Sequence, residues 1–138
     1  MNSAMLRWLA AIAPIIYLLA VPAGSAAEAD KVAEYRRGWA ALRAMDCARC
    51  HGRELDGWAA PSLLAAVRDS PRERFNRLVL DGDMARGMPP YRSQAVVTTQ
   101  IDAMYAYLLA RALGEIGPGD PGAAARGTQP QGSKPAQD

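Results

Sequence analysis

The residues of this chain best suited to chemistry are contiguous: Cys47-Ala48-Arg49-Cys50-His51. Thiols in a Cys-x-x-Cys spacing can each bond a vinyl-derived carbon of the same porphyrin, and an imidazole directly after the second thiol is then held beneath the iron. The spacing reads as a covalent haem attachment site, with Cys47 and Cys50 as thioethers and His51 as the proximal ligand. Two other chemistries use the same residue types. A redox disulfide sits between a strand and a helix in a βαβ pattern, and no such pattern surrounds this motif. A zinc site needs about four ligands. The chain holds 2 cysteines and 1 histidine in all, so a carboxylate would have to complete the set.

A haem ligated by histidine asks for two further groups. The second ring nitrogen needs an acceptor that fixes the tautomer and the ring plane, commonly a backbone carbonyl. Pro61, ten positions after His51 in Ala60-Pro61-Ser62-Leu63, is placed to offer one. The sixth iron position suits a soft, neutral thioether, which raises the potential and closes the iron to substrates. Met88 is the expected ligand, 37 residues after His51 in a stiff Gly87-Met88-Pro89-Pro90 setting. Met84, in the same loop, is the alternative sulfur, and an open sixth position is a third arrangement. Met45 and Met104 fall on helical stripes and read as core.

These groups must be positioned by helices. Val32, Tyr35, Trp39, Leu42 and Met45 recur every three or four residues, which predicts an amphipathic helix over residues 31–46 running into the haem motif. Gly38 is costly inside a helix unless another chain approaches closely there, and a crossing helix is the expected visitor. Residues 53–62 lack periodicity and read as a loop, followed by a short apolar run at 63–67. Ser70-Pro71-Arg72-Glu73 reads as a helix start with Ser70 as N-cap, Phe75, Leu78 and Val79 as the buried stripe, and Gly82 as the stop. The prolines keep the Met88 loop from being helical. Thr99-Gln100-Ile101-Asp102 then resembles a cap ahead of a last helix carrying Ile101, Met104, Tyr105, Leu108 and Leu109, with Gly114 ending it. The two long helices are expected to cross, Gly38 and Trp39 lying opposite Tyr105.

Both ends of the 138-residue chain look detachable from this domain. Residues 1–27 resemble a signal peptide: Arg7 and the amino terminus are positive, residues 8–21 are apolar, and Ser25-Ala26-Ala27 offers cleavage after Ala26 or Ala27. As a helix that apolar run would reach only about 21 Å, against a hydrocarbon core of about 30 Å, so no membrane span is expected after cleavage. Export to the periplasm also suits thiols that must meet haem in reduced form rather than as a disulfide. Residues 114–138 are rich in glycine and proline and are expected to be disordered. What remains, residues 28–113, is small for a hydrophobic core, and a buried haem would enlarge and cross-link it. A formal charge of +2 argues against nucleic acid as a partner. Arg68, Arg72, Arg74 and Arg77 alternate with Asp69 and Glu73, which describes a solvated helix face.

In this order the motifs resemble the class I cytochromes c, over nearly the whole domain. The resemblance implies an all-α cytochrome c fold, a small helical bundle around one covalent haem c and its iron, with His/Met ligation and an exposed haem edge. A narrower resemblance rests on Gly38-Trp39, Phe75-x-x-x-Val79 with Gly82, Gly87-Met88-Pro89, Tyr107-Leu108, Arg111-Ala112-Leu113-Gly114 and Gly117-Pro118-Gly119. These look like periplasmic cytochromes that accept electrons from pyrroloquinoline quinone (PQQ) alcohol dehydrogenases. It implies a monomeric single-electron carrier rather than an enzyme, with such a dehydrogenase as donor and a terminal oxidase or its cytochrome as acceptor. The alternative is a haem-c enzyme or gas sensor with a displaceable sixth ligand, which would want a distal histidine or arginine. His51 is the sole histidine, leaving Arg86 or Arg92 for that part. A protein that merely carries haem or metal during assembly is the third class.

Overall fold

The computed structural model describes residues 24–123, so the expected signal sequence up to residue 23 and the tail beyond residue 123 lie outside the described residues. The chain divides into two compact units, Met1–Asp30 and Lys31–Asp138, and the residues of interest all lie in the second. The described residues form α1 (Gly24–Ala44), α2 (Ala48–His51), α3 (Leu63–Asp69), α4 (Arg72–Asp81) and α5 (Ala95–Ala112), with a 3-10 turn at Met84–Arg86. The architecture is all-α, as a cytochrome c fold requires.

The stripe on α1 is a core face: Ala41 and Leu42 are buried, while Tyr35, Trp39 and Met45 pack half-buried against the same cluster. Gly38 meets α5 backbone to backbone. A Cβ there would overlap the carbonyl oxygen of Ala103 and stand 2.9 Å from the Met104 nitrogen. The expected crossing is present, but its partner is Ala103 and Met104 rather than Tyr105. Tyr105 turns to α4, packing edge-on to Phe75 with ring centroids 5.4 Å apart. Its hydroxyl donates to the Val67 carbonyl of α3 at 3.4 Å. The helical period locates a stripe of residues, whereas which neighbour each member meets depends on the crossing angle.

Three helix starts differ from the sequence reading, the first being that of α1, which begins at Gly24 rather than at residue 31. The helix α4 begins at Arg72 with Pro71, not Ser70, at the N-cap and no side-chain cap bond. Pro71 has an extended ψ of 146°, so the chain turns helical one residue later than a proline at the first helical position would have it. The helix α5 begins at Ala95, ahead of the expected cap at Thr99. Thr98 and Thr99 instead donate their hydroxyls back to the Ala95 carbonyl at 3.2 and 2.7 Å, the arrangement threonine adopts inside a helix. A cap that did form is Ser62, whose hydroxyl accepts from the Ala65 amide at 3.1 Å and starts α3.

The ordered structure also runs past Leu113, where the sequence reading ended the domain. Ile116 packs on the core cluster. The buried Tyr107 donates its hydroxyl to the Gly119 carbonyl at 3.1 Å, and Asp120 pairs with Arg36 at 3.2 Å. Residues 114–123 are therefore held mainly by polar contacts, which an argument from apolar burial does not see. Asp120→Ala is expected to lower stability by about 0.5–1 kcal/mol, the range of a partly exposed pair, read as a shift in the urea midpoint. An unchanged midpoint would mean that the Arg36 pair does not hold this segment.

Candidate functional site

The helix α1 ends in a left-handed turn that aims the next residues back across its end. Asp46 takes φ 51°, its amide donates to the Arg43 carbonyl at 3.0 Å, and the Cys47 amide reaches the Leu42 carbonyl at 3.1 Å. This pair of bonds is the Schellman closure, with aspartate in the position glycine usually fills. Cys47 then stands at the N-cap of α2, a single turn holding Cys50 and His51, and Gly52 at φ 88° ends it. Cys47 is half-buried, Cys50 exposed, and both thiols are free. Burial pushes the Cys47 thiol up to about 11.

Residues 53–62, which carry no periodic signal, are fixed by main-chain bonds to the motif itself. The Gly57 amide donates to the His51 carbonyl at 2.8 Å, and the Ala60 amide to the Cys50 carbonyl at 2.8 Å. Leu55, buried at φ 64°, accepts from the amides of Leu63 and Leu64. A left-handed leucine costs about 1–2 kcal/mol, and burial of its side chain offsets that. The coil returns Pro61 to the histidine, with His51 Nδ1 2.7 Å from the Pro61 carbonyl oxygen. A carbonyl only accepts, so Nδ1 carries the proton and Nε2 keeps a free lone pair.

The Met88 loop is built as a neck. Asp83 and Met88 exchange both main-chain bonds, at 2.9 and 3.0 Å, across the turn containing Met84–Arg86. Gly82, at φ 72°, lies so close beneath Met88 and Pro89 that a Cβ would stand 2.7 Å from the Met88 carbonyl oxygen. The Tyr91 amide then ties the loop to the Val79 carbonyl of α4 at 3.1 Å. Met88 is half-buried against the core cluster, whereas Met84 at the tip of the turn is 72% exposed. Tyr91 packs on the same core cluster as Cys47. Burial, followed by the neighbouring Cys47, Cys50 and Asp46, raises its hydroxyl above the ordinary tyrosine range.

The motif therefore presents two free thiols and an imidazole whose Nδ1 is held on a carbonyl, with Met88 and Tyr91 packed on the same core cluster as Cys47. That donor set fits an iron porphyrin. Among the described residues no group of three or more His, Cys, Asp or Glu side chains is placed to hold a metal ion, which leaves the zinc reading without a ligand set. Sequence reasoning quoted Arg111 only within the narrower resemblance and gave it no structural role. Its guanidinium is nearly buried, donates to the Tyr107 hydroxyl and the Glu54 carbonyl at 3.2 Å each, and so ties α5 to the loop behind the histidine. Its position four after Tyr107 is the one available signal.

A family model described as Cytochrome C oxidase, cbb3-type, subunit III matches residues 33–108, a span that includes the Cys-x-x-Cys-His motif, Pro61 and Met88. No curated protein and no solved structure matches the chain.

Proposed function

Because the chain belongs to the cytochrome c domain family described as cytochrome c oxidase, cbb3-type, subunit III, we propose that it is a periplasmic carrier of single electrons in which Cys47, Cys50, His51 and Met88 hold the cofactor. Membership brings one covalent haem c with its iron, and electron exchange with redox partners. When bound, that group supplies a one-electron iron couple. Cys47 and Cys50 would bond it covalently and His51 would offer Nε2 to the iron, with the Pro61 carbonyl holding the imidazole ring through Nδ1. Met88 would offer its thioether to the iron, which suits electron exchange rather than substrate binding.

The observation that carries this reading is the 2.7 Å approach of His51 Nδ1 to the Pro61 oxygen, because it leaves Nε2 available to a metal. Half-burial of Met88 against exposure of Met84 supports the choice of sulfur. Among the described residues no helix is long and apolar enough to cross a membrane. A PQQ alcohol dehydrogenase is the proposed donor, supported by the narrower sequence resemblance. A terminal oxidase or its cytochrome is the proposed acceptor, supported by a family description that names an oxidase subunit.

The test is optical. Wild-type ferric protein should show the weak near-infrared band of sulfur-to-iron charge transfer, Met88→Ala should lose it, and Met84→Ala should keep it. Loss in Met84→Ala alone would assign the other sulfur, and its absence from wild type would reopen the sixth position. Stopped-flow reduction by a PQQ alcohol dehydrogenase no faster than that of an unrelated cytochrome c would remove the proposed donor.

A further inference from the structure

Trp58 is 81% exposed, more than any other large apolar residue among those described. An indole in water forgoes the burial that usually retains it, and aromatic anchors of this kind are what interfaces bury. Its place is specific. The Trp58 amide donates to the Ala60 carbonyl at 3.0 Å, and the Ala60 amide to the Cys50 carbonyl at 2.8 Å, so the indole is carried on main chain bonded to the haem motif. Cys50 is also the exposed one of the two thiols.

An open groove beside Trp58 has Ala48, Gly52 and Gly57 in its lining, residues with almost no side chain, and Arg49 and Arg53 in the same wall. Both arginines are exposed, and neither makes an ion pair among the described residues. Of the two carboxylates there, Glu54 faces Arg111 at 3.7 Å, which leaves Asp56 as the only uncommitted negative charge. The groove thus joins small and apolar residues to two arginines without ion-pair partners among the described residues, on a chain whose formal charge is only +2.

We infer that Trp58, flanked by Arg49 and Arg53, anchors the docking of a redox partner protein whose own face presents carboxylates around an apolar pocket. This rests on the electron-carrier reading. A second copy of the chain suits the face poorly, since a two-fold contact would set Arg49 and Arg53 against their own counterparts. Arginine and tryptophan are the residues that carry binding energy at interfaces, and the small, brief contacts of electron transfer can rest on one such anchor. The arginines act at longer range, drawing an acidic face into register.

The experiment uses the haem-loaded full chain, reduced with ascorbate and then oxidised by aerated membranes from the cell of origin, with the haem absorption followed in time. Trp58→Ala should raise the half-saturating concentration about tenfold or more, the loss of one anchor, and Trp58→Phe should restore most of it. Arg49→Glu with Arg53→Glu should slow the second-order rate and flatten its decline with salt. The reduction potential and visible spectrum should stay at wild-type values in both Trp58 variants. Oxidation of Trp58→Ala at the wild-type rate and concentration dependence would overturn the docking face while leaving the carrier reading intact. Wild-type protein that carries haem but is not oxidised by the membranes would sink the carrier reading, and the docking face with it. Sedimentation showing a wild-type dimer that Trp58→Ala dissociates would assign the face to a second copy, which also overturns the proposal.

Discussion

Replacing Cys47 and Cys50 together by serine is expected to abolish covalent haem altogether. A thiol S–H adds across a vinyl C=C, and the weaker nucleophile of a serine O–H does not, so neither attachment forms. On denaturing gels stained for haem peroxidase, the wild type should stain and the double variant should be blank. Staining that survives the double substitution would remove both cysteines from the site. The loss should reach beyond colour. Among the described residues, the buried ones, from Ala41 and Leu42 to Tyr107 and Leu108, include no charged or polar side chain beyond the tyrosine hydroxyl, and they come from a short chain. A domain of this size buries a modest fraction of its surface, so removing a large covalent apolar group should lower the urea midpoint steeply.

Gly38→Ala sets two effects of opposite sign against each other, and the structure decides between them. Helix propensity alone favours alanine over glycine by about 1 kcal/mol. Against that, the new Cβ would overlap the Ala103 carbonyl oxygen and crowd the Met104 nitrogen. Those are backbone atoms of α5 and cannot rotate away, so the helices must separate along the whole crossing. Overpacking of this kind costs about 1–3 kcal/mol and occasionally more, and contact with rigid backbone lies at the upper end. The expected outcome is a net loss of about 2 kcal/mol in urea unfolding of the haem-loaded protein, with Gly38→Val worse. A raised midpoint in Gly38→Ala would mean that α1 and α5 do not meet at this residue.

Met88 shows where local pattern is enough and where it is not. Gly87 and the paired prolines mark a rigid loop in any fold, since proline fixes its own backbone and restricts the residue before it. That the neck of the loop is closed by Asp83 and Met88, with Met84 left at the exposed tip, follows from bonds between residues five apart that no periodicity encodes. Residues 53–62 make the same point more sharply. Read along the chain they are an unpatterned loop, yet the Gly57 and Ala60 amides are spent on the carbonyls of His51 and Cys50.

The sequence by itself determined the cofactor chemistry and the class of fold. Thiol and imidazole reactivity is a property of residue type, and the Cys47 to His51 spacing is covalent geometry that survives any folding. The helical periods of α1 and α5 needed only the apolar pattern, and Gly38 announced a close approach by being glycine. Tertiary structure alone decided who meets whom. It set Ala103 and Met104 against Gly38, moved Tyr105 to Phe75, placed the starts of α4 and α5, and fastened residues 114–123 through Tyr107 and the Arg36–Asp120 pair. The physical reason is that periodicity and capping are interactions within a few residues, whereas a helix crossing or a polar tether joins residues tens of positions apart. Their partners are fixed only when the whole core has packed.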